Sequence, residues 1–161
     1  MSFVMLLTGC GGGGGGSTDG GLAAGRWMTV NVESNTQAAI STTYTGDYTG
    51  NGTTTPLLIG YVLSGTTTET IVEMVTSAVE VEVAANSIDA GVYSVTPGSL
   101  TPTGIRYSLN GTNIYVPVSG TVTLTSVGAV GAPISGSFDA IVSNTTDTKR
   151  VWGSFSINRF N

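Results

Sequence analysis

The chain contains no histidine and only one cysteine, Cys10, in 161 residues. Without histidine, the Ser-His-Asp and Cys-His arrangements of nucleophilic catalysis are closed to it, as are imidazole metal sites. One cysteine rules out a disulfide within the chain, and a lone thiol offers no ligand set for a metal. Cations are nearly as scarce: Arg26, Arg106, Lys149, Arg150 and Arg159 are all there are, and charged residues make up 9% of the chain. Neutralising a row of phosphates takes clustered Lys and Arg, so nucleic acid is excluded as a partner, and so is attraction to anionic headgroups. The apolar run over residues 3–7 is far too short to cross a bilayer. No cofactor is expected.

Thr, Ser, Val and Gly fill the space left by the missing charges, a mix that favours pleated strands and turns over helices. Roughly 140 residues follow the first twenty or so, enough for one ordinary domain with a sizeable core. The expected organisation is a signal-peptide remnant over residues 1–9, an attachment segment over 10–21, and one all-β domain over 22–161. That domain is read as a single antiparallel β-sandwich, with a barrel-like closure as the variant.

Cys10 ends the string Leu6-Leu7-Thr8-Gly9-Cys10 and is followed by six glycines, which no packed element accommodates. Leu-Thr-Gly-Cys resembles the lipobox of bacterial lipoproteins. The resemblance implies a diacylglyceryl thioether on Cys10, cleavage before it and acylation of the new amino terminus, together enough for stable membrane anchoring. Residues 1–9 lack the positive start and the full apolar length of a secretory signal, so either the true start lies upstream or the chain is clipped. Gly11 stands where family members retained in the inner membrane tend to carry Asp, which points to the outer membrane. Residues 11–21 form a tether, not a phosphate loop, since no Lys-Ser/Thr follows them. A flexible segment of that length spans roughly 18 Å.

The domain reads as strands. Residues 27–33 alternate, with Met28, Val30 and Val32 on one side. Residues 57–63 form a continuous apolar run expected as a central strand, after a loop over residues 44–56. Residues 71–83 carry Glu69, Glu73, Ser77 and Glu80 on a loose helical stripe, yet alternate at period two from Val79 to Val83. Their valine density favours two strands, with a short helix around 69–80 as the alternative. Asn110-Gly111 predicts a two-residue turn. It would pair Leu109 with Thr112, Tyr107 with Ile114 and Ile105 with Val116 on the inner face, with Arg106 opposite Tyr115 outside. Val118, Val122 and Leu124 would continue the inward row, and Pro117 marks an edge or bend.

In the tail, pairing Ser143 with Arg150 across a loop over residues 144–149 places Phe138 against Phe155 inside and Ile141 beside Trp152 on the other face. The strings Gly120-Thr-Val-Thr-Leu-Thr-Ser-Val-Gly, Gly136-Ser-Phe-Asp-Ala and Gly153-Ser-Phe-Ser-Ile-Asn-Arg159 resemble the C-terminal strands of uncharacterised secreted and lipid-anchored bacterial proteins. That resemblance implies a β-sandwich and transfers no activity.

Three functions compete. The first is a non-enzymatic, lipid-anchored envelope protein with a structural or interaction role toward a protein or glycan. The second is a carbohydrate or small-ligand module, resting on exposed aromatics among Trp27, Tyr44, Tyr48 and Trp152, with Ile141 beside the last. The third is a carboxylate-dependent hydrolase using Glu80 with Glu82 or Glu69 with Glu73, which needs two carboxylates in one pocket. Lys149 is expected as an exposed loop lysine. Asp47 to Gly52 resembles a calcium loop but lacks its repeated acidic ligands, and the Asn-x-Thr triplets at Asn51, Asn110 and Asn144 are read as turns. Cys10 alone stands as a modification site.

Overall fold

A computed structural model describes residues 26–46 and 56–161. Cys10, the glycine segment, Tyr48 and the Asp47 to Gly52 loop lie outside the described residues. Ten strands follow in order: β1 (Arg26–Ser34), β2 (Gln37–Thr45), β3 (Leu57–Ser64), β4 (Thr68–Val75), β5 (Val79–Ala85), β6 (Gly91–Ser94), β7 (Gly104–Leu109), β8 (Asn113–Val127), β9 (Pro133–Ser143) and β10 (Thr148–Asn158). They form one antiparallel sheet in the order β2-β1-β10-β9-β8-β7-β5-β4-β3, with β6 added beside β8. The sheet curls until β3 meets the end of β10, so the fold is all-β, antiparallel and barrel-like. The core fills the concave side, where Met28 and Val30 of β1 join Val72, Met74, Val81 and Ile105 from the opposite half.

Residues 69–80 contain no helix; they are β4, a turn and the start of β5. The Thr76 hydroxyl explains the break. It accepts from the Val79 N–H at 2.8 Å while the Thr76 N–H donates to the Val79 carbonyl, closing a local turn that competes with helical bonding. The strand over residues 57–63 exists as β3 but stands at the end of the sheet, not its centre. Its free edge is covered by the chain's end: the Gly60 carbonyl accepts from the Phe160 N–H at 2.6 Å, and the Val62 N–H donates to Asn161 Oδ1 at 2.9 Å. Tyr44, expected in a loop, is the last inward residue of β2.

The turn at Asn110-Gly111 has positive φ at both residues, 53° and 67°. Thr112 donates its N–H back to Leu109 as expected, but Leu109 also pairs with Asn113, so one residue is extra. A one-residue slip turns a strand over. Tyr107 therefore pairs with Tyr115, both buried, while Ile114 and Val116 point outward. A second irregularity between Pro117 and Ser119 turns the strand back, leaving Val118 outside and Val122 and Leu124 inside. The bend expected at Pro117 is this bulge.

The β9–β10 hairpin keeps its expected faces on a different register. Asn144 Oδ1 accepts from the Thr146 and Asp147 N–H groups, which tightens the loop to four residues and pairs Ser143 with Thr148. A slip of two conserves every face. Phe138 now lies opposite Gly153, and Phe155 opposite Gly136. Each phenyl ring covers the glycine it faces, since a Cβ on Gly153 or Gly136 would meet the tip of the Phe138 or Phe155 ring. The rings stack diagonally with centroids 6.5 Å apart.

Candidate ligand cleft at the open end of the sheet

The curl that seals β3 against β10 leaves a gap between β2 and the β5–β7 side. A cleft of about 240 Å³ opens there. Val30, Val32, Ile40, Thr42 and Tyr44 line one wall; Val79, Tyr107 and Leu109 line the other. The alternation of β1 and β2 places these side chains inside, on the rungs Met28–Tyr44, Val30–Thr42 and Val32–Ile40. Ser34, Gln37 and Lys149 share the next rung and make the end of the cleft polar.

Lys149 is not a loop residue. The four-residue turn brings it into β10 opposite Val142, where its side chain faces inward and is 13% exposed. Its ammonium sits 2.5 Å from Asp147 Oδ2 and 5.2 Å from the centre of the Tyr115 ring. The hydrogen bond to Asp147 raises the Lys149 pKa and lowers that of Asp147. Lys149 therefore stays a cationic donor and is not poised as a base. Tyr107, packed 5.6 Å from Tyr115, has its pKa pushed up to about 12 by burial, with Tyr44 and Tyr115 adding to the effect. Tyr107 stays neutral as well. The gap is thus an apolar trough ending in a fixed cation and a neutral phenol.

The other candidates are scattered. Trp27 and Trp152 lie on the outer face, half-buried and on different rungs, Trp27 beside Ser156 and Trp152 beside Asn31 and Asp139. They form no aromatic row for a sugar. Ile141 shares the outer face with Trp152 but pairs with Arg150. Arg150 grips Asp139 through two hydrogen bonds and lays its guanidinium 4.7 Å from the centre of the Trp152 ring. Of the candidate aromatics Trp27, Tyr44 and Trp152, all among the described residues, Tyr44 lines the cleft.

Glu80 and Glu82 share a face as expected, and Glu73 joins them across β4 and β5. Arg106 bridges both Glu80 and Glu82. Burial raises the pKa values of Glu73 and Glu82; repulsion from Glu82 and Glu80 adds to the rise at Glu73 and repulsion from Glu80 to that at Glu82, with Arg106 opposing both. Glu69 and Glu73, paired only if helical, lie four residues apart along a strand. No cluster of three His, Cys, Asp or Glu side chains among the described residues is placed to hold a metal ion. A second cavity, about 220 Å³ at the closed end, is lined by Leu58, Ile59, Arg159 and Phe160. Arg159 there donates to the carbonyls of Gly128 and Asn161.

No protein-family model, curated protein or solved structure matches the chain.

Sequence reasoning missed the cleft because its walls are far apart in the chain. The one available signal was the inward parity of Lys149, which the six-residue loop reading concealed.

Proposed function

We propose that this chain is a non-enzymatic lipoprotein of a bacterial envelope that works by binding a small ligand in the cleft between β2 and β5–β7. Cys10 carries the lipid, the glycine segment holds the domain clear of the membrane, and Gly11 favours the outer membrane. The observation that supports the binding role is the cleft itself: apolar walls converging on Lys149, a cation kept charged by Asp147. Its volume falls below the ~300–1,000 Å³ of drug-sized sites, so its ligand is small. The fitting class has an apolar or aromatic body and one anionic or strongly accepting end, received by donors of Lys149 that Asp147 leaves free.

Stacking of sugar rings on Trp152 is the weaker reading, because Arg150 already occupies that ring. A hydrolase built on Glu80 and Glu82 is weaker still, because Arg106 ties both carboxylates together on the outer face.

Detergent phase partition of the protein made in a bacterial host behind a complete lipoprotein signal sequence tests the anchor. The wild type enters the detergent phase, and Cys10→Ser stays in the aqueous phase. Equal partition of the two forms would refute the lipid attachment while leaving the cleft untouched.

A further inference from the structure

The two ends of the curled sheet are treated differently. The free edge of β3 is occupied by residues 159–161, through the Gly60 and Val62 hydrogen bonds described above. The outer edge of β2 pairs with no other described strand. Eight of its nine residues are exposed, and Tyr44 is half-buried.

Sheet edges invite further strands, and proteins usually blunt them with charges, prolines, bulges or a covering segment. The strand Gln37-Ala-Ala-Ile-Ser-Thr-Thr-Tyr-Thr45 carries no charge, no proline and no glycine. Its pairing with β1 runs unbroken from Trp27–Thr45 to Val32–Ile40, so the edge is regular over six rungs. Ile40, Thr42, Thr43 and Thr45 are β-branched, the residue type that packs best on a pleated surface.

We infer that β2 is a self-association edge, at which a second copy of this chain adds its own β2 antiparallel across a twofold axis. Twofold pairing sets a strand against itself, so a charge near the axis meets its own like charge on the same or a nearby rung. An uncharged strand meets no such penalty, whereas the acidic face with Glu73, Glu80 and Glu82 would repel its copy. The pairing keeps inner faces together. Ile40, Thr42 and Tyr44 of the two copies then form one continuous apolar row, and the two clefts share a lengthened wall. This inference rests on the β2 edge, which no other described strand pairs, and not on ligand binding.

Sedimentation of full-length Cys10→Ser protein, which excludes micelles, tests it. Raising the concentration from about 1 μM to about 1 mM should carry the protein from monomer to dimer. Ser41→Lys, at an exposed position that leaves the core alone, should hold it monomeric, and so should Ser41→Glu. Mixing those two variants should restore a dimer. A wild type that stays monomeric throughout would overturn the inference, and so would a dimer indifferent to both substitutions. A Ser41→Lys protein that fails to fold shows itself by circular dichroism, and Thr43→Lys then carries the same test at an exposed position of the same strand.

Discussion

Replacing Phe138 with alanine probes the packing logic of the last hairpin. Phe138 is 3% exposed and stacks on Phe155, which is 1% exposed, with centroids 6.5 Å apart. Truncating a buried phenylalanine costs about 3–5 kcal/mol, because the transfer energy is lost and a cavity remains. Two features push Phe138→Ala toward the top of that range. The residue opposite is Gly153, which has no side chain to collapse into the space. The aromatic pair with Phe155 is lost too, and such pairs contribute about 0.5–1.5 kcal/mol beyond area burial. Against a typical total stability of about 5–15 kcal/mol, this one ring carries a large share. Urea unfolding of the Cys10→Ser protein measures it, with the slope m unchanged if only stability moves. Val92→Ala, at a position 69% exposed, is the control and should change stability by less than about 0.5 kcal/mol. A loss below about 1.5 kcal/mol for Phe138→Ala would refute the reasoning, since no well-packed ring leaves that cheaply.

Gly153→Ala should cost about 1–3 kcal/mol as an overpacking change, because the new Cβ would run into the Thr29 carbonyl as well as the Phe138 ring. Phe138→Ala should not rescue it, because the backbone oxygen remains; full rescue in the double mutant would contradict that placement. Trp152→Ala should cost less than half of Phe138→Ala, since Trp152 is half-buried under Arg150, and tryptophan emission of a Trp27→Phe variant should fall between buried and fully water-exposed indole. Stability should also rise as pH falls from neutrality toward the ordinary Glu range. Glu73 and Glu82, raised by burial, bind protons more tightly folded than unfolded there. Below the ordinary Asp range the trend should reverse, as Asp139 and Asp147, held low by hydrogen bonds to Arg150 and Lys149, are protonated at the expense of the fold. Glu73→Gln should flatten the rise and stabilise by less than about 1 kcal/mol at neutral pH; urea midpoints across the pH series check both arms.

The faces of most strands were legible in the sequence, and their partners were not. Met28, Val30 and Val32 alternate cleanly because β1 has one buried side. Phe138 and Phe155 were read onto the correct face although the register was wrong, because a slip of two residues leaves the pleat unchanged. The β7–β8 hairpin shows the opposite case. Its turn was recognised, yet one extra residue at Thr112 inverted Ile114, Val116 and Val118, and apolar alternation carries no mark of a bulge. β2 left little signal because it is exposed on both faces, and β6 is only four residues long. The cleft depends on curvature, which sets Ile40 and Tyr44 against Val79 and Leu109 across the molecule. No local pattern encodes that approach.

The binding role is tested most directly by titrating the Cys10→Ser protein with a short aryl carboxylate, 4-phenylbutyrate, while following backbone amide resonances. The account predicts saturable shifts concentrated at Val30, Val32, Ile40, Thr42, Tyr44, Val79, Tyr107, Leu109 and Lys149, weakened at least several-fold by Lys149→Met. Shifts that gather instead around Trp152 and Arg150, or a titration without saturable change in the cleft, would contradict it.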